Sequence, residues 1–97
     1  MTTTYLALLT YVRPVEELDA QMPAHRDWLE RGIADGNILA AGRRVPRNGG
    51  VILARGEDLE TVTAMLAQDP FQLHGLATVE VFPFQASLVA EGLEGLL

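Results

Sequence analysis

Cysteine is absent from this chain of 97 residues, and so is lysine. The first absence removes disulfides, thiolate nucleophiles and sulfur-ligated zinc. The second removes Schiff-base chemistry through a lysine amine. Aromatic residues make up only 6% of the sequence, so its 48% hydrophobic content is largely aliphatic strand and helix material. No apolar run approaches the ~20 residues needed to cross a bilayer, and residues 1–5 do not lead from a basic segment into a long apolar stretch as a signal peptide does. A membrane partner is therefore not expected, and a reducing cytoplasm suits the composition. Positive charge is scarce as well: 7 bases, all arginine, stand against 13 acids for a net charge of −6. Nucleic acid is excluded as an expected partner, because phosphate binding needs a basic surface that releases counterions.

What is present fits one domain over residues 1–97, with a core of about 3–84 and a C-terminal helix or tail over 85–97. Residues 3–12 (TTYLALLTYV) read as a first strand. Both of its alternating sets are apolar, Tyr5, Ala7, Leu9 and Tyr11 against Leu6, Leu8 and Val12. Residues 15–20 suit a short helical turn. Residues 22–35 suit a longer helix, with Met22, Leu29 and Ile33 on one stripe, His25 between them, and Gly36 as its stop. Strands are expected at 38–44 and 51–55, joined by the proline- and glycine-containing turn 45–50 (VPRNGG). A second helix is expected over 57–68, then Asp69-Pro70-Phe71 as a breaker or a new helix start, and a last strand over 76–84. The order βαββαβ predicts an α+β, ferredoxin-like four-stranded antiparallel sheet with its helices on one face. Helices cover only that face. The other apolar face predicts a homodimer, with higher oligomers left open, because soluble monomers avoid large exposed apolar patches.

Few residues can carry chemistry. His25 lies where the helical stripe meets the sheet, as a general acid or base or as a hydrogen-bonded boundary residue. Asp69 could simply cap a helix beginning at Pro70, or it could orient an imidazole. Arg43, Arg44 and Arg47 form a basic cluster suited to an anionic substrate group, to solvent, or to pairing with acids. Trp28 and Phe71 could line an apolar pocket or belong to the core. His74 precedes Gly75 as loop surface or a second acid–base group, and Ser87, the sole serine, has no histidine near it in sequence. Gly49-Gly50 is a turn and not a phosphate loop, since neither a lysine nor a helix start follows it. No spacing here supports a metal site.

His25 with Trp28-Leu29, Gly36, Ile38-Leu39, Gly42, Gly49-Gly50, Asp69-Pro70-Phe71, Gly75-Leu76 and Val81-Phe82 together resemble the YCII-related family of small bacterial proteins. The resemblance runs from about residue 5 to residue 84. It implies a dimeric α/β barrel with sheets face to face and a pocket where His25 meets Asp69, a pair the family treats as its active site. A few similar proteins act in the breakdown of aromatic compounds, including removal of chloride from a hydroxylated ring. The resemblance thus implies a cofactor-independent acid–base enzyme, lyase- or isomerase-like, on a small aromatic or anionic molecule. In that reading His25 and Asp69 are catalytic, while Arg43, Arg44, Trp28 and Phe71 bind substrate. A noncatalytic ligand-binding or accessory dimer and a monooxygenase-like dimeric barrel are the alternatives. Many relatives carry proline just after the glycine at position 42, where this chain has Arg43.

Overall fold

In the computed structural model, which describes residues 2–97, the doubly apolar first segment forms β1 (Thr4–Tyr11). It is followed by α1 (Val15–Ala34), β2 (Ile38–Arg43), β3 (Gly49–Ala54), α2 (Leu59–Leu66), α3 (Pro70–Leu73), β4 (Ala77–Phe84) and a single 3₁₀ turn, Glu94–Leu96. The four strands make one sheet in the order β2-β3-β1-β4. Every pairing is antiparallel, which gives the α+β, ferredoxin-like layer pair that the element order predicts.

Alternation assigns each side chain to a face, because directly opposed residues in antiparallel strands point the same way. Tyr5, Ala7 and Leu9 lie opposite Ala54, Ile52 and Gly50 of β3. These residues face the helices and, apart from the glycine, form the main core with Trp28, Ile38, Val62 and Leu66. A second, smaller cluster of Leu18, Phe71, Leu76 and Ala77 fixes α3 against the start of α1. Leu6, Leu8, Val51 and Leu53 point to the opposite face and are half-buried, while Phe82 beside them is 49% exposed.

The first helix departs from expectation. Residues 15–20 and 22–35 are not separate pieces; α1 runs unbroken through Pro23. Proline removes one backbone donor within a helix, yet Leu18, fully buried against Phe71 and Leu76, ties the first turns to the core, so tertiary packing overrides the local penalty. The buried stripe is also rotated. Ile33 is 51% exposed, and Trp28 takes the core position. Helix α1 ends as the sequence suggests, with Gly36 at φ +81° and Asn37 N–H donating to the Gly32 carbonyl. In α2 the Asp58 side chain caps the first turn by accepting from Thr61 N–H, which holds its carboxyl below the ordinary carboxylate range.

Two further features position the site. The β2–β3 pairing shifts register between Ile38 and Ala40, a β-bulge that inserts Leu39 as an extra residue. The segment over 85–97 forms no regular helix beyond its 3₁₀ turn. It is anchored by Arg55, which donates to the Gly95 carbonyl, while Leu88 is left 92% exposed instead of docked. Among the described residues no helix is long and apolar enough to cross a membrane.

Candidate active site

His25 sits on the sheet-facing side of α1, one turn after Met22 and three residues before buried Trp28. Its Nδ1–H donates to Asp69 Oδ1 at 2.7 Å, although the two lie 44 positions apart in sequence. A carboxylate can only accept, so the contact sets the tautomer of the neutral ring: the proton sits on Nδ1 and the lone pair on Nε2. Asp69 is 1% exposed. Its Oδ1 also accepts from Phe71 N–H at 3.0 Å, capping α3, with Pro70 in the first helical turn. Capping and orienting are thus done by one oxygen, and the two readings of Asp69 open in the sequence are both true of its geometry.

Phe71 completes the mounting. Its ring lies parallel to the imidazole, 3.9 Å between centroids and 8° between planes. Tyr11 meets the Phe71 ring edge-on at 5.9 Å. The imidazole is therefore held by a hydrogen bond at Nδ1 and by stacking on one face, which leaves few alternative rotamers.

A cleft of about 230 Å³ opens beside this pair. The helix contributes Met22, His25, Arg26 and Leu29 to its walls; the sheet contributes Leu9, Ile52, Arg43 and the glycine-rich edges of β2 and β3. A cavity of roughly 150 Å³ already accepts benzene, so one substituted ring or an enolic molecule of similar size fits. Since Nδ1 is taken by Asp69, the Nε2 atom is the one His25 can offer to a molecule in the cleft.

The other candidates separate. Arg43 lines the cleft, while Arg44 does not: its guanidinium donates to Thr10 Oγ1 at 3.1 Å, and Thr10 lies on the sheet face away from the helices. The bulge at Leu39 decides this. Strict alternation from buried Ile38 would turn residues 40, 42 and 44 toward the helices; the extra residue turns Ala41 and Arg43 there instead. Trp28 does not line the cleft either; it is 8% exposed in the core, its ring 6.4 Å from that of His25. Arg47 pairs with Asp19 at 2.5 Å and ties the β2–β3 connection to α1. His74 ends α3, exposed, and Ser87 is exposed in the C-terminal segment. Among the described residues no group of three or more histidine, aspartate or glutamate side chains gathers to hold a metal. Among the cleft residues with polar side chains, Arg26 and Tyr11 are those that sequence reasoning missed. Adjacency to His25 was the available signal for Arg26, and the inward set of β1 for Tyr11.

The family model of the YCII-related domain matches residues 4–85. Among curated proteins none matches the sequence. A solved structure of 5-chloro-2-hydroxyhydroquinone dehydrochlorinase (TftG) from Burkholderia phenoliruptrix, in complex with 2,5-dihydroxybenzoquinone, is similar with a TM-score of 0.74 and 20% identity, over 87% of this chain and 95% of that one. A mutant of SnoaB, a cofactor-independent oxygenase from Streptomyces nogalater, is similar with a TM-score of 0.51 and 19% identity, over 92% and 96%. At these identities the likeness is one of fold.

Proposed function

This chain belongs to the YCII-related family, and from that premise we propose that it is a cofactor-independent acid–base enzyme of lyase or isomerase type acting on a small, ring-sized molecule. The observation that carries the reading is the 2.7 Å contact between the buried Asp69 carboxylate and Nδ1 of His25, which itself lines the cleft. His25 Nε2 removes a proton from a substrate C–H or O–H. Asp69 holds the ring in place and stabilises the imidazolium that forms. The electron pair left on the substrate either takes the proton back at another position, an isomerisation, or expels a leaving group from the neighbouring carbon, an elimination. The dehydrochlorinase neighbour supports the second outcome as a class, and its bound quinone is a single planar ring. We place the protein in the cytoplasm, working as a homodimer.

The test is a screen of hydroxylated and halogenated arenes and of enolisable ring ketones, followed by mass spectrometry and by chloride release. Once a converted compound is found, His25→Ala is expected to lower kcat about 10²- to 10⁴-fold, the usual contribution of a positioned base. Asp69→Asn keeps an oxygen for the Phe71 amide but removes the charge, and is expected to lose at least about 10²-fold. Full activity in both folded variants would refute the mechanism, and binding of ring compounds with no turnover anywhere in the screen would assign the cleft to ligand binding instead.

A further inference from the structure

Five of the seven arginines are engaged. Arg13 pairs with Glu17, Arg31 with Asp27 and Arg47 with Asp19. Arg44 donates to Thr10 and Arg55 to the Gly95 carbonyl. The remaining two, Arg26 and Arg43, have no hydrogen-bond or ion-pair partner among the described residues. Both line the cleft beside His25, Arg26 from the helix wall and Arg43 from the sheet wall. None of the 13 acids lines it. In a chain with a net charge of −6, the charged groups on this one concave surface are two unpaired guanidiniums, next to the base.

From this we infer that the substrate is a small organic anion whose charge resides on oxygen, a ring carboxylate or a ring oxyanion, held between Arg26 and Arg43 with its carbon body against Leu9, Leu29 and Ile52. A guanidinium presents a planar fork of donors that matches such oxygens, and it stays charged at every working pH. Low-dielectric walls concentrate the local positive potential against the opposing field of an acidic protein. The arrangement also suits the chemistry of the cleft, because removing a proton beside a ring adds negative charge to its oxygens. That charge grows where the two arginines already donate. The bulge at Leu39 is the structural device that brings the second arginine to the site.

The inference rests on the cleft named above as the active site, but it is tested by binding and not by turnover. Calorimetric titration of the whole protein with benzoate, para-nitrophenolate and the neutral benzamide and nitrobenzene, at low salt and about pH 8, reads the charge preference directly. Wild-type protein is expected to bind at least one of the two anions about tenfold or more tighter than its neutral counterpart; which one shows whether a carboxylate or a ring oxyanion is preferred. Arg26→Gln and Arg43→Gln should each weaken that anion about 10- to 100-fold, the range of a charge-assisted hydrogen bond, without changing the neutral probes. The double variant should have no preference, and Arg44→Gln, on the other sheet face, should keep it. His25→Gln should keep the preference while losing turnover, so a failure of the acid–base mechanism leaves the anion inference standing. Equal affinity for charged and neutral probes, no binding of either anion, or a preference that survives the double substitution would overturn it.

Discussion

At the scale of single residues, the site is an imidazole clamped by two neighbours that come from one tripeptide, Asp69-Pro70-Phe71. Aspartate supplies the hydrogen bond, proline sets the first turn of α3, and phenylalanine supplies the stacking ring. Because Asp69 Oδ1 serves both the Phe71 amide and His25, its substitutions should separate by what they leave behind. Asp69→Asn keeps an acceptor for both donors and should cost about 1 kcal/mol or less. Asp69→Ala strands a capped amide and a part-buried imidazole N–H, and should cost roughly 2–4 kcal/mol, the sum of a lost cap and an unsatisfied donor. Phe71→Ala, which empties a 1% exposed core position, should cost about 3–5 kcal/mol. Equilibrium urea unfolding of the three variants checks this order, and equal losses for Asn and Ala at position 69 would show that the shared oxygen is not what matters. His25 and Asp69 were both legible as candidates in the sequence. Their contact was implied by the family resemblance and not by the residues themselves, because positions 44 apart in sequence are brought together only by the sheet crossover.

At the scale of elements, the β2–β3 hairpin does more than connect. Its bulge chooses which of two adjacent arginines faces the helices, and a period-two pattern read from the sequence cannot see an inserted residue. Gly49 holds the other end of the hairpin close to β1: a Cβ built there would stand 1.8 Å from the Leu9 carbonyl oxygen, which belongs to the backbone and cannot swing aside. Gly49→Ala is therefore expected to break the β1–β3 pairing and to leave the protein largely unfolded or insoluble at room temperature. Gly42→Ala, where a Cβ meets nothing within 4 Å, should fold normally. Circular dichroism and a thermal melt of the two variants distinguish them, and a well-folded Gly49→Ala protein would contradict the close approach. Helix α1 carries the opposite lesson. The sequence reads as a short turn over 15–20 and a separate helix over 22–35, but burial of Leu18 holds both halves in line.

At the scale of the whole molecule, the sheet has two different surfaces. One is sealed by helices except at the cleft. The other offers half-buried Leu6, Leu8, Val51 and Leu53 with exposed Phe82 and Phe84 beside them, the kind of patch that soluble chains cover. The proposed homodimer uses this face. Sedimentation at micromolar concentration should give twice the mass of one chain, and Leu8→Glu, placed between Val51 and Glu80 on that face, should give folded single chains. A wild-type protein that sediments as one chain would remove the proposal. The same face explains why β1 is apolar on both sides, a property visible from residues 3–12 alone.

The sequence by itself determined the number and order of the strands, the two-faced apolar first strand, the stop at Gly36, the Asp-Pro helix start and the short list of residues able to move a proton. All of these are written in patterns a few residues long, where backbone preference and side-chain period act locally. Only the tertiary structure decided that one Asp69 oxygen both holds His25 and caps α3, that Phe71 stacks on the imidazole, that Arg43 and Arg26 flank it while Arg44 turns away, and that Trp28 belongs to the core. Those outcomes depend on register and on crossover connections, and a one-residue bulge or a helix turned by a fraction of its pitch changes them without changing any local pattern.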